Sequence, residues 1–181
     1  HDYKDFSIYH LSQMGGTSDY SGTIRLLKIL LSRKGPPSIL RAKAHYRLGA
    51  LYFDSKKYKK SLNHLKNPSF SFLKKPLQFK SLVLYSKSLT ALQKYDQAII
   101  EIDSIPDLTQ APNDYELLFL KADIYKEIKQ FTLSDSLYNI LFKNKSPNIR
   151  AKSHWYLGHS FYERNNLENS QNILDLSFSA D

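Results

Sequence analysis

Hydrophobic and polar residues recur along this chain at helical intervals, most clearly in Arg41–Lys66. Ala44, Leu48, Leu51 and Tyr52 are spaced by three and four, which places them on one face of a helix. Lys56 and Lys57 interrupt the series, and Tyr58, Leu62 and Leu65 begin a second one. Helices this short do not hold alone in water, so the two must bury their apolar faces against each other and against neighbours. Gly49 and Ser61 are expected at the crossing, because closely approaching backbones leave no room for a large side chain.

Weaker copies of this hairpin run along the whole chain. With Tyr58 as anchor, equivalent residues are Tyr20, Tyr95, Phe131 and Leu167, at spacings of 38, 37, 36 and 36. Three residues after each anchor stands a small residue: Thr23, Ser61, Ala98, Ser134 and Ser170. Seven after stands a large one: Leu27, Leu65, Ile102, Tyr138 and Leu174. Nine before the last four anchors are Gly49, Ser86, Ala122 and Gly158, and six before are Tyr52, Leu89, Tyr125 and Phe161. Self-similarity at such a period is the signature of a repeat architecture.

The pattern predicts helices at His1–Met14, Ser18–Ser32, Ile39–Asp54, Tyr58–Lys66, Pro76–Leu92, Tyr95–Ser104, Asn113–Lys129, Thr132–Lys143, Asn148–Arg164 and Leu167–Phe178. Pro37, Pro76, Pro112 and Pro147 fall before or within the first turn of a leading helix, where a missing N–H costs nothing. Pro68 and Pro106 follow second helices that must stop. Gly35-Pro36-Pro37 marks a linker, and no stretch reads as a strand. The turn before Tyr20 looks longer than the others, leaving the register of the first repeat open.

These residues resemble the tetratricopeptide repeat (TPR) family. Leu48-Gly49, Tyr52, Tyr58, Ser61 and Leu65 match its pattern, as do Leu157-Gly158, Phe161, Leu167, Ser170 and Leu174. Tyr95–Ile99 copies the start of a second helix. Departures are the longer period, Ser86 and Ala122 for Gly, and Asp135 and Gln171 in the slot held by Ile24, Leu62 and Ile99. The resemblance implies an all-α, right-handed superhelical solenoid of about five helix-turn-helix repeats, roughly 1–37, 38–75, 76–111, 112–146 and 147–181. Leading helices would line a concave groove, and each repeat would depend on its neighbours for burial.

Composition narrows the function. The 181 residues carry 41% hydrophobic residues, enough to bury a core as a single repeat domain. No run reaches the 18 or more apolar residues of a membrane span. The absence of cysteine excludes disulfides and thiolate metal sites. Because the chain opens on His1, a piece of a longer protein is expected. The net charge of +9 is concentrated between Arg41 and Lys80, where 11 Lys and Arg face one acid, Asp54. Such a run suits an exposed face, an acidic partner or an anionic polymer. The basic residues cluster in one repeat and do not recur at one slot, which argues against base-by-base reading of RNA.

The register assigns the groove side of each leading helix. It comprises Tyr46, Ala50 and Phe53; Val83, Lys87 and Thr90; Phe119, Asp123 and Lys126; and Trp155, His159 and Tyr162. The last stripe holds the only tryptophan, and Trp and Tyr anchor binding surfaces at low entropic cost. The alternative is that Trp155 and Tyr162 pack on an adjacent repeat. Lys43, Arg47 and Lys80 supply a basic edge. The Lys and Asn set with which some TPR proteins grip a terminal carboxylate is missing from the corresponding slots.

Nothing points to catalysis, a cofactor or a metal. His154 and His159 are five apart, off one helical face, while His45 and His154 share a repeat slot, as packing requires. The expected function is therefore a protein-interaction module docking a peptide or helix, possible acidic character included. A second reading is a spacer or oligomerisation element, self-associating through the C-terminal apolar residues Leu174, Leu176 and Phe178. A nonspecific polyanion binder is a third.

Overall fold

The computed structural model describes residues 2–14, 20–66, 68–105, 115–166 and 169–173. It is all-helical over them: α1 (Asp2–Met14), α2 (Tyr20–Ser32), α3 (Ile39–Asp54), α4 (Tyr58–Leu65), α5 (Lys75–Ala91), α6 (Tyr95–Asp103), α7 (Tyr115–Glu127), α8 (Phe131–Phe142) and α9 (Pro147–Glu163), then helical residues at 169–173. Expected boundaries agree to within about two residues. A 3-10 turn over Pro68–Phe72 was not foreseen. The expectations for Asn113, Leu167, Leu174, Leu176 and Phe178 fall outside the described residues.

The chain divides into two compact units, His1–Lys94 and Tyr95–Asp181. In the first, Tyr9, Leu27, Leu30, Ala44, Leu48 and Tyr52 form the core, with Ile8, Ile24, Leu31, Leu40 and Leu51 packed against it. In the second, Leu118, Phe119, Ala122, Tyr138, Leu141 and Leu157 do the same between α7, α8 and α9.

One backbone device recurs where each odd-numbered helix from α3 onward turns back. Lys56, Gln93, Lys129 and Asn165 all have φ between 56 and 62°. The next amide in each case, of Lys57, Lys94, Gln130 and Asn166, donates to the carbonyl of Tyr52, Leu89, Tyr125 and Phe161, at 2.8–3.0 Å. The left-handed residue donates to the carbonyl three before it. This is the Schellman motif, which satisfies the orphaned carbonyls of a helix end and reverses the chain. The large residue six before each anchor thus ends up supplying the carbonyl that closes the turn.

The expected small-residue crossing is present. A Cβ on Gly49 would lie 2.5 Å from Cγ and Cδ2 of buried Leu65. Ser61 Oγ donates to the Gly49 carbonyl at 2.8 Å, and Ser170 Oγ donates to the Gly158 carbonyl at 3.0 Å. At these two crossings serine is small enough to fit and also fastens the pair.

A further recurring device ties the leading helices α3, α5 and α9 to the segment before them. Arg41 donates to the carbonyls of Leu30, Leu31 and Arg33 at the end of α2. Arg150 does the same for Asn144 and Lys145 after α8, and Gln78 for Leu73 ahead of α5. A cation or amide donor at a helix C-terminus satisfies carbonyls and, for arginine, meets the negative end of the dipole.

Candidate functional site

The twelve residues expected to face a groove do not form one class. In the N-terminal unit, Tyr46 and Phe53 of α3 are half-buried, and the Phe53 ring packs edge-on against Tyr58 at 5.5 Å. Burial raises the Tyr46 hydroxyl pKa, with a smaller push from the Asp54 charge. Lys87 on α5 is half-buried, and Val83 one turn earlier is in the core.

The basic edge divides as well. Lys80 is exposed and Lys43 half-exposed, so both remain on the surface. Arg47 instead turns inward, and its Nη2 donates to the Ser12 carbonyl near the end of α1 at 3.3 Å. With Arg41 bound to the end of α2, two of the cations that make Arg41–Lys80 basic act inside the fold. The turn lysines Lys56, Lys57, Lys59 and Lys60 are exposed.

In the C-terminal unit, Phe119 of α7 is 5% exposed. Its ring lies 5.7 Å from Tyr156 and 6.3 Å from Tyr138, with Lys152 Nζ 4.5 Å above it. It is core, covered by Tyr156 and by the Lys152 side chain. Asp123, one turn on, accepts a hydrogen bond from the Tyr138 hydroxyl at 2.5 Å. Burial raises the Asp123 carboxyl pKa, against the opposing pull of that hydrogen bond and of Lys126 and Lys152. Burial likewise pushes the Tyr138 hydroxyl far up, and the Asp123 hydrogen bond and charge add to it. The Tyr138 phenol is the donor of this pair.

Around the next turn of α9 the picture changes. Trp155 is 53% exposed and Tyr162 60% exposed. The Trp155 ring stacks on His159 at 5.3 Å and 22° and meets Tyr156 edge-on at 5.0 Å. His159 Nδ1 and Lys126 Nζ each lie 3.4 Å from a carboxylate oxygen of Glu163. Lys126 belongs to α7 and Glu163 to α9, so this contact joins the two leading helices beside the stripe. Glu163 is nearly half in water, so such pairs are worth on the order of 1 kcal/mol and orient side chains more than they hold the fold.

The structure thus brings Lys126, Trp155, His159 and Tyr162 to one surface, with Lys152 and Glu163, which the sequence did not single out. Both lie within one turn of the stripe, the only signal that would have found them. It also accounts for a departure from the repeat pattern. Asp135 pairs with Arg164 Nη2 at 2.9 Å, and the Arg164 guanidinium lies over Phe131 and Phe161 at 4.9 and 4.5 Å. A charged pair here replaces the aliphatic contact made elsewhere.

The two buried histidine sites are packing sites. His45 Nδ1 lies 3.1 Å from His64 Nδ1, and His64 stacks on Tyr52 at 5.6 Å. Burial, with the neighbouring His64 and Arg41 charges, lowers the His45 pKa to about 4, and burial with Lys28 lowers that of His64. His154 is buried against Phe142 at 4.1 Å, and burial, aided by Arg150, lowers its pKa. Among the described residues there is no group of three or more candidate metal ligands, and no helix is long and apolar enough to cross a membrane.

No protein-family profile matches the chain, and no curated protein matches it in sequence. Solved structures do resemble it. "MamA 41-end from Desulfovibrio magneticus RS-1" superposes with a TM-score of 0.75 at 14% identity, covering 99% of this chain and 96% of that one. "Crystal structure of MamA" gives 0.71 at 13% identity over 93% and 92%. "MamA AMB-1 P212121" gives 0.67 at 16% over 100% and 98%. At these identities the likeness speaks to fold alone: the chain shares the all-α helical-repeat solenoid fold of the MamA structures.

Proposed function

We propose that this chain is a TPR-type protein-interaction module, a single five-repeat domain over 1–181, that docks a peptide or helix of another protein on the face shared by α7 and α9. The observation that carries the reading is the exposure of Trp155 and Tyr162 on a helix whose opposite side is fully packed. Large aromatic side chains left in water favour burial by a partner, at about 25 cal/mol per Å² of apolar area covered. His159, Lys126 and Lys152 around them can meet an acidic group of the ligand, and Glu163 holds two of these three in place. On the N-terminal unit by itself, Lys43 and Lys80 are proposed as electrostatic contacts, with Tyr46, Phe53 and Lys87 as the contact side chains of its leading helices. No catalytic role is assigned.

Trp155 is the only tryptophan, so its emission reports directly on this surface. Peptides selected from a random display library against the whole protein should shift that emission on binding. They should lose at least tenfold in affinity for the Trp155→Ala/Tyr162→Ala variant, whose far-UV circular dichroism stays native. Equal affinity for the double variant, or binding with no change in emission, would overturn the assignment.

A further inference from the structure

Charge divides sharply between the two compact units. His1–Lys94 carries 18 Lys and Arg against four Asp and no Glu, a net of +14, while Tyr95–Asp181 carries eight against 13 acids, a net of −5. Part of the positive charge serves the fold: Arg41 and Arg47 donate to carbonyls and Arg33 pairs with Asp5. The lysines at the turn into α4 do not. Lys56, Lys57, Lys59 and Lys60 are exposed although α3 and α5 both pack against α4, so this face is open with its neighbours in place. Among the described residues none of the four pairs with a carboxylate, and Lys60 Nζ stands 5.9 Å from the Tyr52 ring centre. Exposed Lys28 of α2 joins them, since its charge reaches His64, which stacks on the same Tyr52 ring.

The repeat does not ask for this quartet. At the equivalent slots the α6 hairpin has Gln93, Lys94, Asp96 and Gln97, and the α8 hairpin has Lys129, Gln130, Thr132 and Leu133. The lysines also sit at the positive end of the α4 dipole, and Lys57 at the N-cap makes no side-chain hydrogen bond, so the arrangement works against the helix. We infer that the surface of Lys28, Lys56, Lys57, Lys59 and Lys60 docks the phosphate backbone of double-stranded nucleic acid, without reading its sequence. Lysines are separate hydrated charges that suit a dense line of phosphates, where each contact releases condensed counterions. An acidic peptide gains little from exposed ion pairs and must be ordered as it binds. The rings beside these lysines give it no anchor, because Tyr52 is buried and Phe53 packs on Tyr58. For the same reason the surface suits neither a single strand, whose bases stack on open rings, nor a lipid surface, into which apolar side chains insert. A second copy of this chain brings its own net +9 and is repelled. The site belongs to the N-terminal unit and does not rest on the α7/α9 reading above.

The test uses the whole protein and a fluorescein-labelled DNA duplex of random sequence, about 20 base pairs long, followed by anisotropy between about 50 and 200 mM NaCl. Binding should saturate, and log affinity should fall against log salt with a slope of about −0.9 per lysine engaged, roughly −4 to −5 for the five. Lys56→Gln/Lys57→Gln/Lys59→Gln/Lys60→Gln should lose at least tenfold in affinity at about 100 mM salt and flatten the slope by about 3 to 4. Lys59→Gln/Lys60→Gln should give about half that change in slope, and both variants should keep the wild-type melting temperature. Lys4→Gln/Lys34→Gln/Lys143→Gln/Lys145→Gln removes the same charge from scattered exposed sites and should stay within about threefold of wild type. No saturation at the lowest salt, or an equal loss in the scattered variant, overturns the inference. So does tighter binding of a glutamate-rich peptide, of a single strand of the same length or of phosphatidylserine vesicles than of the duplex, each of which would give the face to that ligand.

Discussion

The α3–α4 hairpin and the α7–α9 group are built on one frame and end as different objects. Each leading helix, α3, α7 or α9, closes with a Schellman turn through a left-handed residue, Lys56, Lys129 or Asn165. Arg41 and Arg150, at the same slot, bind the end of the preceding helix. Inside the frame, however, α3 and α4 close on two neutral histidines and carry the lysines of their turn outward. The C-terminal group closes on Phe119, Tyr138 and Tyr156, and leaves Trp155 and Tyr162 in water. The frame positions tolerate only small residues or particular donors, because backbone spacing and carbonyl satisfaction fix them. The slots between them are free to differ, and a difference there decides whether a face is scaffold or surface.

The comparison breaks most sharply by exchanging the two kinds of position. Leu48→Ala, in the fully buried core of α3, should lower stability by about 2–5 kcal/mol in urea unfolding. Trp155→Ala should change it by no more than about 0.5 kcal/mol, since the ring is half in water. A Trp155→Ala loss as large as that of Leu48→Ala would make the stripe part of the scaffold after all.

Acid should separate the two regions next. The His45 pKa, lowered to about 4 from an ordinary 6.5, means that the fold favours the neutral ring. The unfolded chain binds the proton first, so this stability is intact above about pH 6.5 and is lost as pH falls toward 4. His64, lowered in the same direction, adds to it. Thermal unfolding followed from pH 7 to pH 4.5 should show a fall that shrinks in His45→Asn/His64→Asn. An unchanged fall would place the acid sensitivity outside the His45–His64 pair.

The smallest effect sharpens what the two regions share. Lys56 and Lys129 carry side chains at φ of 56 and 62°, where an L-residue is strained and glycine is not. Lys56→Gly and Lys129→Gly should each stabilise by a few tenths to about 1 kcal/mol, less the entropy glycine gains when unfolded. Asn165→Gly should give less, because asparagine tolerates this conformation better. Equal and opposite outcomes in the two hairpins would show that the turns are not equivalent.

Much of this was legible in the residues. The helix bounds of α3 and α4, the Gly49–Ser61 crossing and the 36–38-residue period all follow from spacing, because helical periodicity and close approach are local requirements. The stripe of Trp155, His159 and Tyr162 was also readable, being one face of one helix. Phe119 holds the same slot in α7 and is buried, since Tyr138, Tyr156 and Lys152 cover it from α8 and α9. Arg47 looked like a ligand for an acidic partner and binds a backbone carbonyl instead.

By itself, then, the sequence determined the helices, their pairing and the positions where only a small residue fits, because those constraints act between residues close in the chain. Only the tertiary structure decided which faces stay open, as on Trp155 and Tyr162 of α9. Exposure depends on what other helices lay over a residue, and equivalent slots in successive repeats have different neighbours. The same holds for charge: an arginine in a basic run is a surface cation or an internal cap according to whether a helix end lies within its reach.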